Sequence, residues 1–177
     1  MIGVLVSGEG TNLQALIDDR LPISGVASNK PAVRALERAQ RACIPTAVFA
    51  LDDYDVRPAR DEAMAEWLER RGVDLVVCAG YMQLLSTAFL ERFPQRIVNV
   101  HPSLLPAFPG TRAIDDAVEA GVEVTGVTVH VVDEGVDTGP ILAQEEVSVA
   151  PSTTLEDRLH AVEHRLLPQV VRNLCER

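Results

Sequence analysis

Short apolar runs alternate with helical periodicity through the first part of the chain. "IGVLV" at 2–6 reads as a buried strand, followed by the turn "SGEG" and a helix from about Thr11 to Asp19. "ISGVAS" at 23–28 is a second strand, a helix opening at Pro31 ends near Cys43, and "TAVFA" at 46–50 is a third strand. Pro58 suits a first helical turn, where its missing N–H is no loss, and Arg70, Arg71 and Gly72 close that helix favourably. "DLVVCAG" at 74–80 and "RIVNV" at 96–100 add two more strands. None shows the in/out alternation of a half-exposed sheet. Continuous apolar strands separated by helices predict a parallel sheet covered on both faces.

After Gly121 the pattern changes. "VTGVTVHVV" and "ILAQEEVSV" flank "DEGVDTGP", a loop rich in Gly and Asp, and predict an extended, hairpin-like excursion. The last helix is expected to start with a capping box, Thr153 to Glu156, and carries the stripe Leu155, Leu159, Val162, Leu166, Val170 and Leu174. Pro168 inside it deprives the His164 carbonyl of its donor and predicts a bend. No repeat, low-complexity tract or linker interrupts the 177 residues, so one domain spanning 1–177 is expected.

Composition refines this. Apolar residues make up 47% of the chain and aromatics 4%, so the core must be aliphatic. A net charge of −10 repels phosphate backbones and argues against nucleic acid as the main partner; a phosphate ligand would need a shielded pocket. Cys43, Cys78 and Cys175 are odd in number and far apart, as reduced structural thiols of a cytoplasmic protein would be. The N-terminus enters the first strand without a basic leader, so no signal peptide is expected. The longest uncharged run, Leu75–Leu90, is broken by polar residues and falls short of the roughly 20 apolar residues of a membrane span.

Four stretches carry candidate chemistry. In "SGEGTN", Gly8 and Gly10 permit a tight turn, and Thr11 and Asn12 sit at a helix N-terminus, where partial positive charge favours an anion. A dinucleotide fingerprint fails, because its third glycine would fall at Leu13 and the second strand ends in Ser28-Asn29. A plain glycine turn and a cradle for a single phosphate both remain open.

In "NVHPSLLP", strand alternation puts Asn99 and His101 on one side of a strand end stiffened by Pro102 and Pro106. They are either a core pair satisfied by backbone or donors aimed at a developing oxyanion, with His101 also able to exchange a proton. Ser103 is the stretch's one nucleophile, and no GxSxG elbow exists. "DEGVDTGP" reads as a solvated acidic turn, or as a loop placing Asp137 beside a catalytic His. "HAVEH" at 160–164 matches the inverted zinc-peptidase pattern, but it lacks a further downstream ligand and reads as coincidence; no metal is expected.

Taken together, "SGEGTNLQAL", "GYMQLLS", "NVHPSLLPAFPG" and "VDEGVDTGPIL" resemble the glycinamide ribonucleotide formyltransferases of the folate-dependent formyltransferase superfamily, from Met1 to about Pro168. The resemblance implies an α/β fold: a Rossmann-like, mostly parallel twisted sheet, helices on both faces and the antiparallel excursion near the C-terminal half. It implies formyl transfer from 10-formyltetrahydrofolate to the amine of glycinamide ribonucleotide in purine synthesis, without a metal, by a cytoplasmic monomer or homodimer. Asn99, His101 and Asp137 would be the catalytic trio. Gly10, Thr11 and Asn12 would hold the phosphate and Glu163 the ribonucleotide. Arg57, Met82, Gln83, Leu84 and Leu85, with Asn99 and the loop Asp133, Glu134, Gly135, Val136 and Asp137, would border the folate. Residues 1–100 would form the ribonucleotide half and 101–177 the folate-binding and catalytic half.

Gln83, Ala107 and Arg112 depart from the commoner pattern, as does the chain's end at Arg177. Three rivals remain. A methionyl-tRNA formyltransferase would need an RNA-contacting second domain, and a formyltetrahydrofolate hydrolase normally carries an N-terminal regulatory domain. A non-catalytic nucleotide-binding module would leave the trio without a job.

Overall fold

The computed structural model describes residues 1–176. Along the chain β1 (Ile2–Val6), α1 (Thr11–Asp18), β2 (Ile23–Ser28), α2 (Arg34–Arg41), β3 (Thr46–Val48), α3 (Arg57–Glu69), β4 (Leu75–Cys78) and α4 (Thr87–Arg92) build the first half. They are followed by β5 (Ile97–His101), α5 (Ala113–Glu119), β6 (Val124–Val131), β7 (Ile141–Ser148) and α6 (Leu155–Cys175). Among the described residues the seven strands form one sheet in the order β3-β2-β1-β4-β5-β6-β7. β1 to β5 pair in parallel, whereas β6 is antiparallel to β5 and β7 to β6. The expected excursion is thus part of the sheet and extends its edge.

Alternation along the strands sorts the core into two layers. Val4, Val6, Val77, Val98 and Val100 meet α1, α2 and α6 on one face. Leu5, Val76, Cys78 and Ile97 meet α3 and α4 on the other, together with Phe49, Tyr81, Phe89 and Phe93. The scarce aromatics therefore gather on one side. On the opposite face Leu155, Leu159, Leu167 and Val171 of α6 are fully buried, each contributing roughly 1.5–3 kcal/mol.

Some expectations are corrected. α2 begins at Arg34 rather than Pro31, because the chain is still extended at Val33 (φ −89°, ψ 146°). The capping box does not form: a 3₁₀ turn over Ser152–Thr154 feeds directly into α6, and no side chain caps the helix. As the stripe from Leu155 to Leu174 implied, α6 runs on past Pro168 to Cys175. The pattern gave no sign of α4 or α5. Each is under two turns, burying Phe89 in α4 and Ala113 and Ala117 in α5, which is too little for a periodic stripe.

Gly10 has a steric reason that the sequence reading did not supply. Its φ is +73°, and a Cβ there would lie 2.6 Å from the Ala35 Cβ and 2.7 Å from the Ala35 Cα of α2. The glycine lets the loop after β1 pack against α2, quite apart from any ligand. Gly10→Ala is therefore expected to destabilise the fold by about 1–3 kcal/mol. An unchanged urea midpoint in this variant would contradict that packing.

Candidate active site

The carboxyl ends of parallel strands are where open α/β sheets bind ligands, and β5 ends there with Asn99 and His101. Val98 and Val100 point into the core, so Asn99 and His101 share the other side, as alternation predicted. The antiparallel register of β5 with β6 then sets His130 directly opposite Asn99 and Thr128 opposite His101.

Thr128 holds the turn after β5. Its hydroxyl donates to Ser103 O at 2.7 Å and accepts from the Leu105 N–H at 3.1 Å. Gln144 of β7 donates to Leu105 O and to the same Thr128 hydroxyl, both at 2.9 Å. The fully buried Ser103 donates its own hydroxyl to Ala107 O at 2.6 Å, so it is a structural hydroxyl rather than a nucleophile.

The loop between β6 and β7 folds back over this strand end and brings Asp137 into the centre. One oxygen, Oδ2, accepts the Gly110 N–H at 2.8 Å and lies 3.4 Å from His101 Nδ1. The other, Oδ1, lies 3.4 Å from His130 Nε2 and 3.5 Å from Asn99 Nδ2. Asp137 adopts φ +55°, a left-handed conformation that aspartate tolerates better than most residues.

Burial raises the carboxyl's pKa, but His130, the Gly110 N–H and the charge of His101 outweigh it and bring the value down to about 2. Phe108 O can only accept, so His101 Nε2, 2.8 Å away, carries a hydrogen. By the same reasoning His130 Nδ1 donates to Val131 O at 2.9 Å, leaving Nε2 to accept from Asn99 Nδ2 at 3.3 Å when the ring is neutral. A proton taken up on either ring turns its contact with Asp137 into an ion pair.

These groups line a cavity of about 260 Å³. Its wall includes Met82, Gln83, Leu84, Leu85 and the whole loop from Asp133 through Glu134, Gly135 and Val136 to Asp137, as expected. Both halves of the chain contribute to it. Cys78 also lines it, but burial pushes the thiol up to about 12, so it is no thiolate. Arg57 stands at the start of α3 outside the cavity lining, its charge reaching Tyr81 on the wall. Arg112 is on the surface, 2.9 Å from Glu119.

Of the residues expected to hold the ribonucleotide, two come together. Asn12 of α1 and Glu163 of α6, 151 positions apart, meet with Asn12 Nδ2 donating to Glu163 Oε2 at 2.8 Å. Burial raises the Glu163 carboxyl, partly offset by that hydrogen bond. Thr11 borders a larger open hollow of about 760 Å³ between α1 and α6. Its arginines already have partners: Arg172 on Asp19, Arg165 on Glu145, and Arg38 on Glu9 O and Gln14. The smaller cavity therefore holds the convergent chemistry. His160 and His164 stack with ring centroids 6.0 Å apart, and among the described residues no group of three or more His, Cys, Asp or Glu is arranged to hold a metal ion.

Sequence reading missed His130. Alternation along "VTGVTVHVV" marks its face, but nothing in the sequence pairs it with Asn99; only the strand register does.

The lowered pKa of Asp137 has a sign. A folded value below the unfolded value of about 3.9 means that the ionised carboxylate stabilises the fold fully above about pH 4, an effect lost as pH falls through about 2. The stability gap between the native protein and Asp137→Asn should narrow across that window in denaturation experiments. A gap independent of pH would show that the carboxylate's charge is not what the site uses.

The chain is 40% identical over 180 residues to the phosphoribosylglycinamide formyltransferase of Bacillus subtilis (strain 168), covering 97% of this chain and 92% of that protein. It is 45% identical over 176 residues to the Homo sapiens trifunctional purine biosynthetic protein adenosine-3, covering 94% of this chain but 17% of that longer protein. The crystal structure of glycinamide ribonucleotide transformylase 1 from Symbiobacterium toebii superposes with a TM-score of 0.95 at 48% identity, covering 99% of this chain and 87% of that one. No helix among the described residues is long and apolar enough to cross a membrane. The formyl transferase family model matches residues 1–171, and with relatives this similar over nearly the full length the chain belongs to the formyl transferase family.

Proposed function

We propose that this protein transfers the formyl group of 10-formyltetrahydrofolate to the primary amine of glycinamide ribonucleotide, a step of purine synthesis. The observation that carries this reading is the Asp137 carboxylate, which gathers Asn99, His101 and His130 on a cavity wall that offers no activated nucleophile. Such a site suits direct attack of one substrate on another.

The substrate amine attacks the formyl carbon, giving a tetrahedral oxyanion. Asn99 Nδ2 donates to that oxygen. His101 joins it when its Nε2 hydrogen exchanges Phe108 O for the oxyanion. Asn99 is already held on the cavity wall by its contacts with His130 and Asp137, so the change of partner as charge develops is confined to single N–H groups of fixed side chains. The Asp137 carboxylate, ionised across the physiological range, places a fixed negative charge beside His101 and His130. The C–N10 bond then breaks, and the proton lost by the attacking amine ends on N10 of the leaving tetrahydrofolate. The folate carries the activated carbon; the protein supplies orientation and field.

The Met82–Leu85 and Asp133–Asp137 walls fit the folate. Exposed Met82, Leu84 and Val136 on these walls offer it apolar surface. Gly10, Thr11, Asn12 and Glu163 fit the ribonucleotide, its phosphate on the amino end of α1 and its hydroxyls toward Glu163. Ser7 joins the two sides, accepting the Met82 N–H at 2.9 Å from the loop that precedes α1.

The test is an assay of formyl-folate consumption with and without the ribonucleotide. Consumption that requires the ribonucleotide and yields its formylated product supports the reading, whereas equal release to water would assign a hydrolase. Asn99→Ala is expected to lower kcat by on the order of 10²–10³ with both substrates still bound. Asp137→Asn should cut kcat far more than it changes either KM. A near-normal rate in Asn99→Ala would place the reacting oxygen elsewhere.

A further inference from the structure

The cavity wall at Met82–Leu85 is only partly held by burial: Leu85 packs against the core, but Met82 is 59% and Leu84 54% exposed. Its two ends are tied by buried acceptors on other elements. At one end the Met82 N–H donates to Ser7 Oγ, which itself donates to Asn29 Oδ1 at 2.6 Å. At the other, the Ser86 N–H donates to Asp61 Oδ2 at 2.7 Å.

Asp61 lies on α3 and is fully buried, as is Arg60, whose Nε is 2.6 Å from Asp61 Oδ1. Removing two charges from water is expensive, and apolar replacements of such pairs are often neutral or stabilising. Here the compensation is poor: Arg60 Nε, Nη1 and Nη2 make no aligned hydrogen bond. General stability is therefore a weak reason for this aspartate. Its well-formed hydrogen bond goes to the amide that ends the cavity wall.

We propose that Asp61 is a positioning residue for the formyl donor: by fixing the Ser86 amide it sets the Met82–Leu85 wall in its binding geometry, with Arg60 as its counter-charge. This rests on the reading of that wall as the folate side of the site. Asp61 touches no substrate and acts through the loop. Losing it should weaken folate binding while leaving the trio and the ribonucleotide cluster intact.

Ser86→Pro tests this while leaving the Arg60–Asp61 pair in place. Ser86 has φ −73°, which proline adopts, so the substitution removes the donor N–H. Its KM for formyl-folate should rise about three- to tenfold, with kcat and the ribonucleotide KM within about twofold of the native values.

Two double variants of matched size separate hydrogen bond from charge. Arg60→Met with Asp61→Asn keeps an acceptor for Ser86 and should retain near-native folate KM; Arg60→Met with Asp61→Leu should reproduce the defect. Amide hydrogen exchange supplies a readout independent of activity. Exchange should speed up within 82–85 in Ser86→Pro and in the leucine double, and stay slow in β1 and β4.

If the native protein transfers formyl groups but folate KM is unmoved in Ser86→Pro, or all three variants shift both KM values alike, the proposal is overturned. If the native protein transfers none, the functional reading fails instead. Unchanged exchange at 82–85 in Ser86→Pro would then overturn the positioning role as well.

Discussion

β5 bonds to parallel β4 along one edge and to antiparallel β6 along the other, and the site depends on that change of direction. Had β6 joined in parallel, its connection would need a crossover, and its neighbour to Asn99 would come from a different register. The antiparallel pairing instead places His130 across from Asn99 and lets a short loop return over the strand end with Asp137. Three segments far apart in sequence thus converge on one carboxylate. A one-residue slip of β6 would turn His130 to the opposite face.

That carboxylate is the electrostatic centre. Burial works against its charge, and the Gly110 N–H with the two imidazoles more than compensates. Asp137 is therefore an anion whose ionisation does not depend on the ambient pH near neutrality. The two rings around it are oriented by the backbone, Phe108 O holding one and Val131 O the other. Preorganisation comes from backbone carbonyls as much as from the side chains they hold.

The loop after β1 and the cavity wall at Met82–Leu85 are mechanically linked. Ser7, in that loop, accepts the Met82 amide. Gly10 permits that loop to lie against Ala35, so the same few residues satisfy packing, turn geometry and ligand access. Substitutions there mix stability with binding. The Asn99–His101–Asp137 group is less entangled, because its partners are His130, the Gly110 N–H and Phe108 O, none of which belongs to that loop.

The order of the main strands and helices was legible in the sequence, because continuous apolar strands and a helical stripe such as Leu155–Leu159–Leu166 report burial directly. So was the shared face of Asn99 and His101, since a strand's period of two is local geometry. Motif resemblance pointed to Asp137 as well, although nothing local distinguishes it from Asp133. α4 and α5 escaped because helices of under two turns have too few buried positions to show a period.

What tertiary structure alone decided were the pairings across distance. They are His130 with Asn99, Asn12 with Glu163, Asp61 with Ser86, and Gly10 with Ala35. Each is a contact between elements whose register and docking are set by the whole core. A sequence states which residues can make a hydrogen bond or demand a glycine; only packing states to whom they make it.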